Sequence, residues 1–220
     1  MYKKDFYENR AQRYTNFDKQ GYLRYERACN LAEIFSGSAI LDVGCKKAHL
    51  LDLLEAKNIN CSYTGIDISE TVIDDLKDKK GIFLTHDLME PLPFPQNSFD
   101  NIFCLEVLEH LENPTFALKQ FYSVLKPDGT LMLSVPNVYS WLRFIGNLAG
   151  IKDREGHIHS FTFQDINTLL GFTGFKIDKK CGTYGIIPFT PHGIKNNKYF
   201  MFKTDMLLFT ASYIFKIKKL

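Results

Sequence analysis

The sequence predicts an α/β protein in which a mostly parallel sheet lies between two layers of helices. Short apolar runs alternate with longer amphipathic stretches, and five of the apolar runs have the length of buried strands. Turn-forming residues separate the two kinds of segment, most clearly Lys-Lys-Gly at 79–81 and Lys-Pro-Asp-Gly at 126–129. Strands and helices that alternate at this spacing form βαβ units, and such units build parallel sheets with helices on both faces.

Three helices and five strands account for this alternation. The helix over 49–57 carries four leucines on one face. The next helix begins after Ser69, a favoured N-cap residue, and the third covers 114–125 with Asn113 as cap and proline at its first position. The predicted strands are 38–43, 61–67, 81–87, 99–106 and 130–135.

Segments on either side of this alternation do not follow it. Before the first strand, residues 5–36 are helical in pattern and rich in tyrosine and arginine. After the fifth strand, 137–162 lacks the alternation, and a helix (163–171) and two strands (174–180 and 212–218) complete the chain. Because no stretch has the composition of a linker, we predict a single domain, 1–220, with a helical cap (1–36), a lid insertion (137–162) and an excursion before the last strand (182–209).

The composition argues against several classes of protein. Lys and Arg number 27 and Asp and Glu 25, so the net charge of +2 is too close to neutral for a protein that binds DNA or RNA by bulk charge. The five cysteines include no C-x-x-C pair, which argues against structural zinc and favours reduced thiols in a cytoplasmic protein. The N-terminus lacks the apolar core of a signal peptide, and charges interrupt the late apolar stretch, so neither a signal peptide nor a membrane span is expected.

Acidic residues stand at the ends of the first four predicted strands. They are Asp42, Asp67, Asp87 and Glu106. Ligands of open α/β sheets bind beyond the carboxyl ends of the strands, and carboxylates at that edge must be solvated or matched to a ligand. The acid at the end of the second strand is placed to hold ribose hydroxyls.

The turn after the first strand narrows the choice of ligand. It reads Gly-Cys-Lys-Lys-Ala over 44–48 and therefore lacks the G-x-G-x-x-G pattern that a dinucleotide pyrophosphate requires. A ligand that carries a nucleoside but little phosphate fits these residues better. S-adenosyl-L-methionine is such a ligand.

Four ordered motifs carry a family resemblance. ILDVGCKKAHLL, YTGIDIS, HDLMEPLPFPQNSFDNIFCLEVLEHL and LKPDGTLMLSVPN follow one another, and together they resemble the motifs of class I S-adenosylmethionine-dependent methyltransferases. The resemblance is close over about 38–136, and 156–177 looks like the later part of the same superfamily. The most similar branch is that of small-molecule methyltransferases, which includes ubiquinone-type O-methyltransferases and enzymes of surface-sugar biosynthesis.

The resemblance implies a Rossmann-like three-layer sandwich with seven strands, the last one antiparallel and paired with the sixth. It also implies that Asp42 orients the amino end of the cofactor, that Asp67 holds the ribose hydroxyls and that Asp87 accepts from the adenine amino group. The full cofactor-binding set that it implies is Asp42, Gly44, Cys45, Lys46, Asp67, Ile68, Asp87, Leu88 and Glu106, with Ile68 and Leu88 beside the adenine and Glu106 near the sulfonium and the methyl acceptor.

Two residues depart from the family pattern. Lys46 and Ala48 stand where the family has glycines. The Lys46 side chain could pair with the carboxylate of the cofactor, or it could narrow the site. A methyltransferase-like binding module without turnover is therefore one alternative reading, and an RNA methyltransferase is another, which the near-neutral charge disfavours.

Glu106, Glu109 and His110 stand at i, i+3 and i+4, which places them on one face if this turn is helical. Some methyltransferases with a similar string depend on a metal, and His157 or His159 could supply a further ligand. We favour capping of the turn over a metal site, although a divalent metal is possible. His110 is the predicted catalytic residue, a general base, because imidazole titrates near neutral pH.

The predicted function is methyl transfer to a small-molecule or carrier-linked acceptor of the sugar, lipid or quinone-like class. Oxygen is the favoured acceptor atom. Aromatic residues of the lid segment are candidates for lining the acceptor pocket, and residues of the N-terminal cap for covering its mouth. The two sets are Tyr139, Trp141 and Phe144, and Tyr7, Arg10, Arg13 and Tyr14.

Basic and aromatic residues are interleaved near the C-terminus. They are Lys195, Lys198, Lys203, Lys216, Lys218 and Lys219 with Tyr199, Phe200 and Phe202. Contact with an anionic membrane surface is one interpretation of this pattern. An edge hairpin that its lysines protect from aggregation is the favoured alternative.

Overall fold

The computed structural model describes residues 2–11, 19–150, 155–188 and 199–220. Its strands are β1 (Ala39–Val43), β2 (Ser62–Asp67), β3 (Ile82–Thr85), β4 (Phe99–Leu105), β5 (Leu125–Pro136), β6 (Phe175–Gly182), β7 (Gly185–Pro188), β8 (Tyr199–Phe202) and β9 (Ser212–Lys219). Its helices are α1 (Tyr2–Ala11), α2 (Lys19–Ala32), α3 (His49–Ala56), α4 (Glu70–Asp74), α5 (Pro114–Val124), α6 (Trp141–Leu148) and α7 (Phe163–Phe172), and a 3₁₀ turn covers Leu108–His110.

Seven of the strands form one sheet in the order β3-β2-β1-β4-β5-β9-β6. Strands β1 to β5 pair in parallel, whereas β9 is antiparallel to both of its neighbours, β5 and β6. The prediction of a seven-stranded, mostly parallel sheet with an antiparallel last strand is confirmed. The strand order reverses at β1, between β2 and β4, so the carboxyl ends of these strands border the crevice in which open α/β sheets bind ligands.

Both faces of the sheet are buried. Neighbouring residues of one strand enter opposite cores, as Ile40 and Leu41 do in β1 and Ile102 and Phe103 do in β4. Helices α5 and α7 cover one face, and α2, α3 and α4 cover the other. Full burial of each large apolar side chain contributes about 1.5–3 kcal/mol. Burial on both sides explains why β1 and β4 are nearly continuous apolar runs, whereas the edge strands β3 and β6 are partly exposed.

The predicted helix starts are found in the structure. Val72 N donates to Ser69 Oγ at 3.2 Å, and Phe116 N donates to Asn113 Oδ1 at 3.0 Å. The leucine face of α3 is buried. Helix α4 is shorter than the sequence indicates, because regular helix ends at Asp74 and turns follow it.

The C-terminal region differs from its prediction in two ways. The excursion contains a second sheet, the hairpin β7–β8, and the lid segment contains α6. The antiparallel pair β6 and β9 stands at one edge of the sheet, with β6 as the outer strand and β9 between β5 and β6. Lys216 of β9 is buried with its Nζ 2.8 Å from Glu33 Oε2, and Lys218 and Lys219 donate to main-chain carbonyls.

All five cysteines are free thiols, as the sequence predicts. Three of them are buried, and the other two are partly buried. Across the described ranges, no helix combines the length and the apolar character needed to cross a membrane.

Candidate active site

The loop after β1 keeps a glycine-type backbone although two of its glycines are replaced. Gly44 has φ +68°, and a Cβ there would lie 2.6 Å from Val107 Cγ2, so the position requires glycine. Lys46 and Ala48 have φ +47° and +55°. This left-handed conformation costs a residue with a Cβ about 1–2 kcal/mol. The backbone at 46 and 48 is therefore strained in a way that it would not be with glycine.

Hydrogen bonds fasten this loop to the end of β2. Gly44 N and Cys45 N donate to Ile66 O at 2.8 and 3.1 Å, and Lys46 N donates to Asp67 Oδ2 at 3.2 Å. The other carboxylate oxygen of Asp67 accepts from Ser69 N at 3.1 Å. Asp67 is thus held by main-chain groups on both sides of the crevice, and it remains partly exposed. Burial raises its pKa, while these hydrogen bonds and the nearby Lys46 ammonium oppose the rise.

Asp42 has a different environment from Asp67. It is fully buried, and its two oxygens accept from Tyr63 Oη at 2.6 Å and from Tyr25 Oη at 3.1 Å. Burial raises the pKa of Asp42 to about 7 in spite of these hydrogen bonds. The observed partners of Asp42 therefore link α2, β1 and β2, and its expected role toward the cofactor remains a prediction.

The adenine side of the crevice lies at the end of β3. Asp87 Oδ1 accepts from Met89 N at 3.0 Å, which orients the carboxylate. Leu88 is buried, and its carbonyl accepts from Gln120 Nε2 at 3.2 Å. Ile68 is partly exposed beyond β2. The assignment of these residues to the adenine is therefore a prediction from the family resemblance.

Glu106 ends β4 in a strained conformation. Its φ is +57°, and its carboxylate accepts from Ser134 Oγ at 3.0 Å and from Ser212 Oγ at 3.2 Å. Arg24 Nη2 of α2 lies 3.7 Å from Glu106 Oε2. Strain of this kind persists only where the surrounding structure enforces it, and it is concentrated at functional sites.

The sequence reading did not identify the partners of these carboxylates. Ser134 is a polar residue within the apolar stretch 131–135 of β5, and that signal could have singled it out. Arg24, Tyr25 and Ser212 give no comparable signal, because only the packing of α2 and β9 brings them to the site.

Glu109 and His110 lie in the 3₁₀ turn, so the helical face proposed with Glu106 does not form. Instead, candidate ligand atoms of Glu109, His110 and His157 lie within 4.8 Å of one another.

The Glu109 carboxylate is buried, and neither of its oxygens has a hydrogen-bond partner among the described residues. Burial, followed by the charge of Glu106, raises the pKa of Glu109 well above its ordinary value. One carboxylate and two imidazoles are also a donor set that a divalent cation can use.

The tautomer of His110 follows from its neighbour. Its Nδ1 lies 3.2 Å from Gly156 O, and a carbonyl only accepts, so Nδ1 carries the proton and Nε2 is the basic nitrogen of the neutral ring. The ring centroid lies 4.7 Å from that of His157 and 5.7 Å from that of Tyr7. His159 is placed differently, with its main-chain N bonded to Glu109 O and its ring stacked on Phe161.

Helix α1 bridges the two sides of the crevice. At one side, the Glu8 carboxylate accepts from Ser69 Oγ at 2.9 Å and from Glu70 N at 2.5 Å. At the other, Tyr7 meets His110 edge to face. Tyr7 therefore lies at the site as the sequence suggests, whereas the Arg10 side chain and residues Arg13 and Tyr14 lie outside what the structure describes.

An aromatic cavity of about 230 Å³ lies at the end of β5. Tyr139 of the predicted acceptor set lines it, whereas Trp141 and Phe144 do not. Lys180 is the charged residue in its wall. The lining residues are Val135, Pro136, Asn137, Val138, Tyr139, Phe161, Thr162, Phe163, Lys180, Leu207, Tyr213 and Phe215.

Comparison with known proteins gives consistent matches. Residues 15–180 match a family model described as a methyltransferase domain. An uncharacterized protein of Methanocaldococcus jannaschii is 28% identical over 204 residues, with 82% of this chain and 78% of that protein covered. A ubiquinone biosynthesis O-methyltransferase of Coxiella burnetii is 34% identical over 106 residues, and the match spans 46% of this chain but less than half, 44%, of that enzyme.

A structural comparison supports the same fold. The complex between the Haloferax volcanii Trm112 methyltransferase activator and a methyltransferase superposes with a TM-score of 0.75 at 17% identity. The superposition covers 98% of this chain and 96% of the matched chain. At this identity the likeness shows the fold alone.

The residues of the crevice fit S-adenosylmethionine. Gly44 allows close approach to the loop, Asp67 offers acceptors for a ribose diol, and Asp87 offers one for an amino group. Lys46 and Ala48 both have a positive φ, a conformation that glycine adopts without strain. The chain therefore belongs to the methyltransferase-domain family and is a class I S-adenosylmethionine-dependent methyltransferase.

Proposed function

We propose that the protein methylates an oxygen of a small-molecule or carrier-linked acceptor that has a large apolar part. The observation that carries this proposal is the aromatic cavity at the end of β5. Among the described residues that line it, Lys180 is the one with a charged side chain. Such a lining favours an aromatic ring or an acyl or isoprenoid chain over a nucleic acid. The name of the Coxiella relative, an O-methyltransferase of ubiquinone biosynthesis, supports the same class of acceptor.

The cavity is joined to His110 by one segment of chain. Gly156 O holds His110 Nδ1, and Phe161, five residues later, lines the cavity. An acceptor with its apolar part in the cavity would therefore present its polar end toward the His110 side of the crevice. Alignment of the acceptor with the methyl group supplies much of the rate in a direct displacement.

The bound cofactor supplies an electrophilic methyl group on its sulfonium. In the proposed mechanism, His110 Nε2 takes the proton of the acceptor hydroxyl, and the Gly156 carbonyl keeps the proton of Nδ1 in place. Glu106 lies in the same segment after β4 as His110, and its carboxylate is fixed by Ser134 and Ser212. It would orient the reacting groups through electrostatic attraction to the sulfonium.

A turnover assay tests this proposal. The acceptors are phenols and catechols with and without an alkyl or isoprenoid chain, and a short RNA serves as the competing class. We expect methylation of the apolar phenols and a loss of about 10²–10⁴ in kcat for His110→Gln. Asp74→Asn, at an exposed position of α4, is the control and should retain full activity. Methylation of RNA but of none of the phenols would contradict the proposal.

A chelator separates the two chemical roles open to the Glu109, His110 and His157 cluster. If His110 is the base, EDTA should leave the activity unchanged and Mg²⁺ should not raise it. Activity that EDTA removes and a divalent cation restores would instead assign these side chains to a metal.

A further inference from the structure

Helix α6 presents its apolar stripe to solvent. Trp141, Phe144, Ile145 and Leu148 stand at i, i+3, i+4 and i+7 and therefore share one face of the helix. The last three are 60%, 52% and 74% exposed, whereas Leu142 and Arg143, on other faces, are less exposed than these. A helix on a water-exposed surface normally turns its apolar stripe toward the core and its polar face toward water.

A second exposed apolar segment lies against the start of this helix. Met206, Leu207 and Leu208 are exposed consecutively, and Trp141 N donates to Leu208 O at 2.8 Å. Asn137 Nδ2 donates to Leu207 O, which fixes the segment against the end of β5. We call the apolar stripe of α6 together with residues 206–208 the apolar platform. Contiguous exposed apolar surface of this kind marks a site of interaction.

The charges around the platform indicate what covers it. Residues 129–152 contain no aspartate or glutamate. Arg143 on α6 and Lys180 in the cavity wall have no ion pair with a described carboxylate. Asp205, next to the platform, is neutralised by Arg27 at 2.8 Å. Among the described residues, the surface is therefore apolar and carries positive charges that no carboxylate pairs with.

We propose that the apolar platform docks on an anionic lipid bilayer and inserts the exposed side chains of α6 and 206–208 into its interface. Helices that lie in a membrane interface combine bulky apolar and aromatic residues with cationic ones, as this surface does. A second copy of the chain fits less well, because a two-fold contact would bring the same cations together without acids to match them.

The position of the cavity agrees with this assignment. Leu207 belongs to the platform and also lines the aromatic cavity, and Tyr139, half exposed just before α6, lines it as well. An amphiphilic molecule could therefore pass from the bilayer into the cavity without crossing water. This surface differs from the lysine-rich C-terminal pattern in the sequence, in which Lys216, Lys218 and Lys219 bind other groups of the protein. The proposal requires no turnover and can hold whether or not the proposed acceptor is correct.

The test is vesicle binding of the full-length protein, followed through its own tryptophan. Trp141 is the sole tryptophan of the chain, so its fluorescence reports on α6 alone. Vesicles of phosphatidylcholine are compared with vesicles that contain roughly one third phosphatidylglycerol. We expect co-sedimentation with the anionic vesicles, a blue shift of the emission, and quenching by lipids brominated near the headgroup end of the acyl chain.

Variants identify the surface. Phe144→Glu combined with Leu148→Glu should weaken vesicle binding at least about tenfold, and Arg143→Gln should reduce the preference for anionic lipid a few-fold. Phe172→Glu is the matched control, because Phe172 is 79% exposed at the end of α7, and it should bind as the native protein does. Circular dichroism and titration with S-adenosylhomocysteine verify that each variant is folded.

Two results would overturn the proposal. One is a native protein that neither sediments with anionic vesicles nor changes its Trp141 emission. The other is equal loss of binding in Phe172→Glu and in the α6 variant. Formation of a dimer that the α6 variant abolishes, without vesicle binding, would assign the platform to a second copy. Since vesicle binding is measured without an acceptor, failure here leaves the turnover assay to decide the proposed function separately.

Discussion

The carboxyl edge of the sheet has two halves that differ in how their side chains are satisfied. In the cofactor half, the loops after β1 to β4, the carboxylates of Asp42, Asp67, Asp87 and Glu106 all accept hydrogen bonds from defined partners. In the half proposed to hold the acceptor, comprising residues 135–150, 155–163 and 204–215, a cavity opens beside exposed apolar side chains. A preorganised polar site suits one constant ligand, whereas an open apolar surface suits partners that differ between relatives.

Asp42 offers the strongest test of the cofactor half. Burial raises its pKa to about 7, so the folded protein keeps a proton that the unfolded chain releases near pH 4. The stability contributed by this group is fully present below about pH 4 and is lost as the pH rises through about 7. Asp42→Asn, which stays neutral, should remove this dependence. Relative to the variant, the native protein should lose about 3 kcal/mol of unfolding free energy between pH 5 and 8.

Urea denaturation at the two pH values measures this difference. Asp74→Asn, at an exposed position of α4, is the control and should follow the native protein at both. A native protein and an Asp42→Asn variant with parallel pH profiles would show that Asp42 ionises normally beside Tyr25 and Tyr63.

Asp67→Ala should produce the next largest effect, which is a loss of affinity for the cofactor rather than a loss of stability. Loss of a charged acceptor for two ribose hydroxyls removes about 1.5–3 kcal/mol for each hydrogen bond, which corresponds to at least about a hundredfold weaker binding. Calorimetric titration with S-adenosylmethionine and S-adenosylhomocysteine measures it, and Asp74→Ala serves as control. Binding of native strength by Asp67→Ala would remove Asp67 from the predicted cofactor set.

Phe161→Ala tests whether the two halves are separable. The side chain lines the aromatic cavity and stacks on His159 at 5.4 Å. Its removal should raise the KM for an apolar acceptor about tenfold, through lost apolar contact, and leave the affinity for S-adenosylhomocysteine unchanged. Phe172→Ala, on the exposed end of α7, should change neither quantity. Equal weakening of cofactor and acceptor would mean that the halves act as one unit.

Lys46→Gly should have the smallest effect and the opposite sign. Glycine adopts a φ of +47° without the strain that Lys46 has there. The substitution should therefore raise the free energy of unfolding by about 1 kcal/mol without weakening cofactor binding. Lys47→Gly is the matched control, because φ at Lys47 is not positive, and it should lower stability by up to about 1 kcal/mol. If Lys46→Gly instead abolishes cofactor binding, the ammonium of Lys46 holds the carboxylate of the ligand.

The sequence predicted the fold and the family because both depend on patterns of neighbouring residues and on the order of those patterns along the chain. Apolar runs between turn residues set the strands, Ser69 and Asn113 begin two helices, and the strand ends place the acidic residues at one edge. The conditional helical face of Glu106, Glu109 and His110 does not form. The chain there forms a 3₁₀ turn after a left-handed Glu106, and spacing does not encode that conformation.

By itself, then, the sequence determined a Rossmann-like methyltransferase fold, its cofactor class and the edge where the carboxylates gather. Only the tertiary structure decided which groups meet there. Arg24 reaches Glu106 from α2, His157 reaches Glu109 across 48 positions of the chain, and α6 turns its apolar stripe outward. Periodicity specifies which residues share a face of one element, whereas contact between distant elements depends on how the whole chain packs.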